Sequence, residues 1–253
     1  MNSFEIKRRV EYYEADVTGK LALPMILNWA VLASKLQSDA LGVGQSTHLA
    51  RGLGWIILQY EVHITRRPAV NEEITIQTYA AKYNPFFVRR PFAFFDAQGE
   101  EIIRVDSIWT MIDINNRRMA RLPQDIVDKY QAERVKQIPR MPNPIKILPS
   151  DDMISKDYHV RYLDIDANQH VNNSKYFEWM QDVVPTEFLE THEITSINLK
   201  YENEIHLGHT IQSQVVLGNQ SSKHRIMLGD VVSAEAEFNW RNVTCLCTLR
   251  VSF

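Results

Sequence analysis

Cysteine is scarce: the chain of 253 residues has two, Cys245 and Cys247. One residue apart, they could close only a strained disulfide. A lone Cys-x-Cys also falls short of the four ligands of a structural zinc site. The expectation is two small buried hydrophobes with no metal or redox role. No apolar run approaches the ~20 residues of a membrane-spanning helix. The opening residues, Met-Asn-Ser-Phe-Glu-Ile-Lys, place no apolar stretch behind their charges, and strand-like sequence begins at Phe4. That pattern is neither a secretory leader nor a transit peptide, so the expected location is cytoplasmic. No Gly-x-Ser-x-Gly elbow supports a serine hydrolase, and no phosphate-binding glycine loop appears. The net charge of −3 excludes a wholly basic nucleic-acid binder.

What is present is an ordinary globular composition, 45% apolar and 23% charged, with enough chain for two small domains. Four of the ten prolines fall at positions 139, 142, 144 and 149. They mark an extended linker over 137–150, between a first domain at 1–136 and a second at 151–253. Charge divides unevenly around it. Residues 1–150 hold 20 Lys and Arg against 16 Asp and Glu, and the remainder hold 8 against 15. An acidic partner would favour the first half.

The two halves resemble each other. Val10, Tyr12, Asp16 and Trp29 recur 150 positions later as Val160, Tyr162, Asp166 and Trp179. Ile76-Gln-Thr78 recurs as Ile211-Gln-Ser213 at an offset of 135, and Trp109 as Trp240 at 131. Each half starts with a short strand, then a helix, then several strands. Met25–Ala33 is apolar almost all round and is expected to be buried, with Pro24 at its first position and Gly42 capping its end. Runs near 54–65, 72–83, 86–96 and 101–114 read as strands, with Asp96-Ala-Gln-Gly99 as a turn. In the second half Phe177, Met180, Val184 and Phe188 keep helical spacing until Pro185 breaks it. Alternating Ile197, Leu199 and Tyr201 open a set of strands continuing near 209–218, 223–228 and 231–241, with a strand-like tail from Val243. A helix wrapped by a long antiparallel sheet, present twice, is an α+β double hotdog. Its two copies are expected to form a pseudo-dimer with joined sheets.

The densest polar cluster, from Asp164 to Ser174, lies between strand and helix in the second copy. Asp166, Asn168 and His170 alternate, so an extended backbone would point them one way. Asn172, Asn173 or Ser174 can cap the helix, whose first amides suit an oxyanion. Any one of these residues alone could belong to the strand-to-helix turn. The first copy keeps Asp16 but has Thr18 and Lys20, so the fold itself does not require the trio. His206 and His209 near Glu204 do not match a known metal-ligand spacing, and no metal or other cofactor is expected. The aromatics around 83–95 are expected to be core, with Arg89-Arg90 a solvated pair.

Asp166-Ala-Asn-Gln-His170-Val-Asn-Asn173 resembles the active-site motif of plant-type acyl-acyl carrier protein (acyl-ACP) thioesterases. Tyr13-Glu-Ala-Asp16 with Gly19, Gly54-Trp55, Arg66-Arg-Pro68, Arg89-Arg90, and Trp109 leading to Asp113 and Arg117-Arg118 resemble that family's first domain. Thr191-His-Glu193 and Tyr201-Glu-Asn-Glu204 resemble its second. The resemblance implies catalytic roles for Asp166, Asn168 and His170, and places the family's further acidic residue on Glu204. Where plant members often carry a cysteine after that glutamate, this chain has Ile205, so a thiol nucleophile is not expected. The implied activity is hydrolysis of fatty acyl-ACP to free fatty acid, in a bacterial cytoplasmic member of the family. The implied partner is the acyl carrier protein, with neither nucleic acid nor a membrane span, and with a homodimer as one open assembly. Two alternatives stay open: a hotdog enzyme acting on coenzyme A thioesters or as a dehydratase, and a non-catalytic acyl-binding regulator.

Overall fold

The computed structural model describes residues 2–243, so Cys245, Cys247 and the strand expected after Val243 lie outside the described residues. The chain divides into two units, Met1–Pro142 and Asn143–Phe253.

The first unit contains β1 (Phe4–Arg9), α1 (Leu23–Ala40), α2 (Gln45–Leu49), β2 (Leu53–Ile64), β3 (Glu73–Thr78), β4 (Lys82–Tyr83), β5 (Phe87–Phe95), β6 (Glu101–Asp113), β7 (Arg118–Ala120), α3 (Gln124–Val127) and β8 (Glu133–Arg134). Its antiparallel sheet runs β1-β3-β5-β6-β2. The strand expected over 72–83 is broken into β3 and the short β4. Along β5 burial alternates strictly: Val88, Arg90, Phe92 and Phe94 face inward. This is the period of two that a pleated strand imposes.

Helix α1 packs against β1 and β3. Ile26, Trp29, Ala30, Ala33 and Gln37 form its buried stripe, spaced three and four apart. Each large apolar side chain so enclosed contributes about 1.5–3 kcal/mol. The helix is less enclosed than its composition suggests: Val31 and Leu36 reach solvent. Pro24 occupies its second position rather than its first. At the other end Gly42 takes φ +71°. Its N–H donates to Asp39 O at 3.0 Å and that of Val43 to Ser38 O at 2.9 Å, the paired closure that a left-handed residue permits.

The second unit contains β9 (Ile154–His159), α4 (Asn173–Asp182), α5 (Thr186–Leu189), β10 (His192–Tyr201), β11 (Thr210–Leu217), β12 (Ser221–Leu228) and β13 (Val231–Asn242). Its sheet runs β9-β11-β12-β13-β10, the order of the first unit strand for strand. Helix α4 lies on β11 and β12 and has 10 residues where α1 has 18. Pro185 sits between α4 and α5, so Phe188 belongs to the second, shorter helix. No helix among the described residues is long and apolar enough to cross a membrane.

Candidate active site

The polar cluster of the second unit is built by a hairpin, not by an extended strand. After β9 the chain makes a turn of 3-10 helix at Tyr162–Asp164. Asp164 is fully buried and accepts hydrogen bonds from Arg161 N at 2.8 Å and Arg161 Nη2 at 2.8 Å. Burial opposes its charge, but the Arg161 hydrogen bonds outweigh that and hold the carboxyl below its usual range. Ile165 then bridges Val171. The intervening residues double back: Asp166 O accepts from Gln169 N at 3.0 Å, and Asp166 N donates to His170 O at 2.9 Å.

Asp166, Asn168 and His170 therefore do not share one face of an extended backbone. Gln169 has φ +68°, and Asn168 is exposed at the tip of the turn, with its N–H donating to Asp166 Oδ1 at 2.8 Å. The hairpin still brings Asp166 and His170 together: His170 Nδ1 lies 3.7 Å from Asp166 Oδ1. Nδ1 also lies 3.2 Å from the Val171 carbonyl. Both neighbours are acceptors, so a neutral ring with its proton on Nδ1 would suit them and keep its lone pair on Nε2. Helix α4 begins directly afterwards. Asn172 caps it, its Oδ1 accepting from Ser174 N at 2.9 Å and Ser174 Oγ at 2.9 Å. Tyr201, at the end of β10, donates its hydroxyl to Asn173 O at 2.9 Å.

Glu204 follows β10 and is half-buried. The next residue, Ile205, accepts from Val171 N at 2.9 Å through its carbonyl, fixing Glu204 beside the hairpin. The first unit repeats the hairpin and its bond to the chain that follows the strand. Ala15 bridges Leu21, Asp16 O accepts from Gly19 N at 2.9 Å, and Leu21 N donates to Pro68 O at 2.8 Å. Gly19 holds the left-handed position of Gln169, and Arg67 the position of Glu204. There Arg67 reaches Asp16 in an ion pair, donates to Leu21 O at 3.1 Å and lies 3.2 Å from Thr18 Oγ1. One copy locks its aspartate to a guanidinium; the other sets it beside an imidazole, with a carboxylate in the place of the guanidinium.

The sequence hides this exchange because the loops before Arg67 and Glu204 differ in length. Glu14 and Asp164, 150 positions apart, both anchor their turns, a correspondence masked by the change of residue type; Glu14 accepts from Glu11 N at 3.0 Å and Trp29 Nε1 at 3.0 Å. Among the described residues no group of three or more His, Cys, Asp or Glu is arranged to hold a metal ion.

The first unit holds a hollow of about 420 Å³, open mouth included, bounded by Ser34 and Ser38 of α1 and by Trp55, Ala80, Val88 and Trp109. Arg90 reaches the same space and is buried, contrary to the expected solvated pair.

A helix on a curved antiparallel sheet, in two successive units of one strand order, defines the double-hotdog class. Residues 1–130 match the acyl-ACP thioesterase N-terminal domain and residues 148–242 its C-terminal domain. The chain belongs to the acyl-ACP thioesterase family. It is 38% identical to a Lactobacillus plantarum protein of known structure, provisionally named an oleoyl thioesterase, with a TM-score of 0.93 covering 96% of this chain and 97% of that one. The 12:0-ACP thioesterase of Umbellularia californica shares the fold at 21% identity, with a TM-score of 0.84 over 95% of this chain and 98% of that one. Among curated relatives, the chloroplastic palmitoyl-acyl carrier protein thioesterase of Cuphea hookeriana is 28% identical over 217 residues, or 79% of this chain and 52% of the relative. The chain spans about half the length of such curated relatives.

Proposed function

We propose that the chain hydrolyses the thioester of a fatty acyl-ACP, releasing free fatty acid and acyl carrier protein in the course of fatty acid synthesis. One observation carries the reading. The same turn occurs in both units, and only in the second is its aspartate set beside a histidine instead of tied to an arginine. A site that had to be merely stable would keep the ion pair.

The roles proposed for the second unit follow from the groups available. His170, with its proton on Nδ1, can accept one at Nε2. With Glu204 it deprotonates a water, whose oxygen attacks the thioester carbon. The carbon–sulfur bond breaks and the departing thiolate takes the proton. Asp166 steadies the imidazolium from Nδ1 and stands near the carbonyl carbon. Its direct attack, through a mixed anhydride, is the competing route. Asn168 does not titrate and acts by orienting or donating hydrogen bonds. Ile205 has no thiol, and neither Cys245 nor Cys247 is assigned a role. The hollow of the first unit, with its aromatic and aliphatic walls, is proposed as the determinant of acyl chain length.

The proposed setting is the cytoplasm. The proposed partners are the acyl carrier protein and, as an assembly tested by sedimentation, a second copy of the chain. The experiment is turnover of matched acyl-ACP and acyl-CoA substrates by purified protein. Higher kcat/KM on acyl-ACP supports the reading. A preference for acyl-CoA moves the substrate class, and turnover of neither leaves a binding protein. Single turnover in ¹⁸O-water separates the chemical routes: label in Asp166 means an anhydride, label in the fatty acid alone means direct attack by water.

A further inference from the structure

Glu204 follows the end of β10, and the chain around it is tied on two sides. On the sheet side, Glu202 N and Asn203 N both donate to Ser233 O, at 2.9 and 3.2 Å, and Asn203 Nδ2 donates to Val232 O at 2.7 Å. On the helix side, the ties run to the residues just after His170. Val171 N donates to Ile205 O at 2.9 Å. The Tyr201 hydroxyl donates to the carbonyl of Asn173, the first residue of α4, at 2.9 Å. In sequence Glu204 lies between these two bonds. Tyr176, one turn into α4, supports the second of them. Its ring meets that of Tyr201 edge-on, with centroids 5.1 Å apart and planes at 88°. Tyr176 is buried. Burial pushes its hydroxyl pKa up, and the adjacent Ile205 N–H offsets part of that rise.

The first unit builds the same joint without tyrosine. Tyr201 faces Ala234 across β10 and β13 as Ile64 faces Ile103 across β2 and β6. Ile103 and Ala234 stand 131 positions apart, as Trp109 and Trp240 do, and Ile64 precedes Arg67 by the same three residues as Tyr201 precedes Glu204. On the helices, Ile26 precedes Trp29 as Tyr176 precedes Trp179. Both isoleucines are buried, and Leu21 N still donates to Pro68 O as Val171 N does to Ile205 O.

Apolar side chains therefore complete this joint, and the fold does not require hydroxyls there. Burying a hydroxyl costs free energy unless it is hydrogen-bonded. Tyrosine at both places, in the unit that carries Asp166 and His170, puts a directional bond where packing alone would serve. Reacting groups need such control, because a displacement of about 1 Å can cost about 10²-fold in rate.

We propose that Tyr201 is a positioning residue for the hydrolysis, with Tyr176 as its buttress. Its hydroxyl ties the chain carrying Glu204 to the helix that follows His170, and so sets the carboxylate relative to the imidazole. Neither tyrosine is assigned a contact with the reacting atoms. The inference rests on the roles proposed above for His170 and Glu204.

The test is Tyr201→Phe in the full chain, which removes one hydroxyl and keeps the ring. On acyl-ACP kcat should fall about 10- to 10²-fold, with KM within about twofold and the thermal midpoint near wild type. Tyr201→Ile, which installs the first unit's residue, should fold and lose at least as much kcat. Groups that act as a unit are not additive, so in the Glu204→Gln background the loss should shrink below about twofold. The Val171 N–H reads the tie without turnover: its exchange with solvent should quicken by about tenfold in Tyr201→Phe. Wild-type kcat in Tyr201→Phe, or unchanged Val171 exchange, overturns the proposal. So does a loss of kcat that persists in full in the Glu204→Gln background. Near-normal turnover by Glu204→Gln, or none by the wild type, instead removes the reading of the site, and Val171 exchange still decides whether Tyr201 holds the two segments together.

Discussion

Asp16 and Asp166 occupy the same turn and differ in what faces them. That difference predicts opposite consequences of mutation. Asp166→Asn, His170→Ala and Glu204→Gln should each lower kcat on acyl-ACP by ~10²–10⁴, the range for losing a general base, with thermal midpoints near wild type. Near-normal turnover in both Asp166→Asn and Glu204→Gln would remove the site assignment. Arg67→Ala should do the reverse, leaving a part-buried Asp16 without its ion pair at a cost of about 1–3 kcal/mol in chemical denaturation while the second unit's residues are untouched. His224 sets a pH limit. Burial pushes its imidazole down to about 3 from the ordinary 6.5. A group whose native pKa is depressed contributes its stability fully above the unfolded value and loses it as pH falls. Unfolding free energy should therefore decline between about pH 6.5 and 3 by up to about 1.4 kcal/mol per unit from this group. His224→Phe, which cannot titrate, should flatten that part of the profile.

At the scale of elements, α1 is the long helix of the pair, and its end depends on one residue. Gly42 is left-handed with open space around the position of a Cβ, so Gly42→Ala meets backbone strain alone. The cost should be about 1–2 kcal/mol, read as a lower denaturation midpoint with unchanged specificity. The residues of α1 that reach the hollow are Ser34 and Ser38. If the hollow measures the acyl chain, Ser34→Leu and Ala80→Leu should shift the released fatty acids toward shorter chains while total turnover changes less. Identical product profiles across the series would argue that the chain binds elsewhere.

At the scale of the molecule, the arginines shared with the family's first domain differ in how much charge they leave at the surface. Arg66 pairs with Glu72 and Asp96, Arg67 with Asp16, Arg89 with Asp106, and Arg90 is buried. Of the paired arginines at 66–67, 89–90 and 117–118, only Arg117 and Arg118 are exposed. Exposed charges steer encounter over a screening length of about 8 Å at physiological salt. Added salt should lower kcat/KM on acyl-ACP more than on a short acyl thioester without the carrier. Arg117→Glu with Arg118→Glu should reduce that difference. Equal salt dependence for both substrates would exclude electrostatic docking by this half of the chain.

Features made of local chemistry were legible in the amino-acid sequence. The turns at Asp16 and Asp166, the cap at Gly42, the break at Pro185 and the strand periodicity each depend on residues within a few positions. The nearness of Asp166 and His170 was also legible, because they are four residues apart, although a hairpin and not an extended strand achieves it. Tertiary structure alone decided the rest. Arg67 and Glu204 correspond only through the carbonyls of Pro68 and Ile205, which meet equivalent amides after loops of unequal length. Arg90 looked solvated beside Arg89 because adjacent residues of a strand face opposite ways, and a sequence does not say which face the sheet will turn toward its helix.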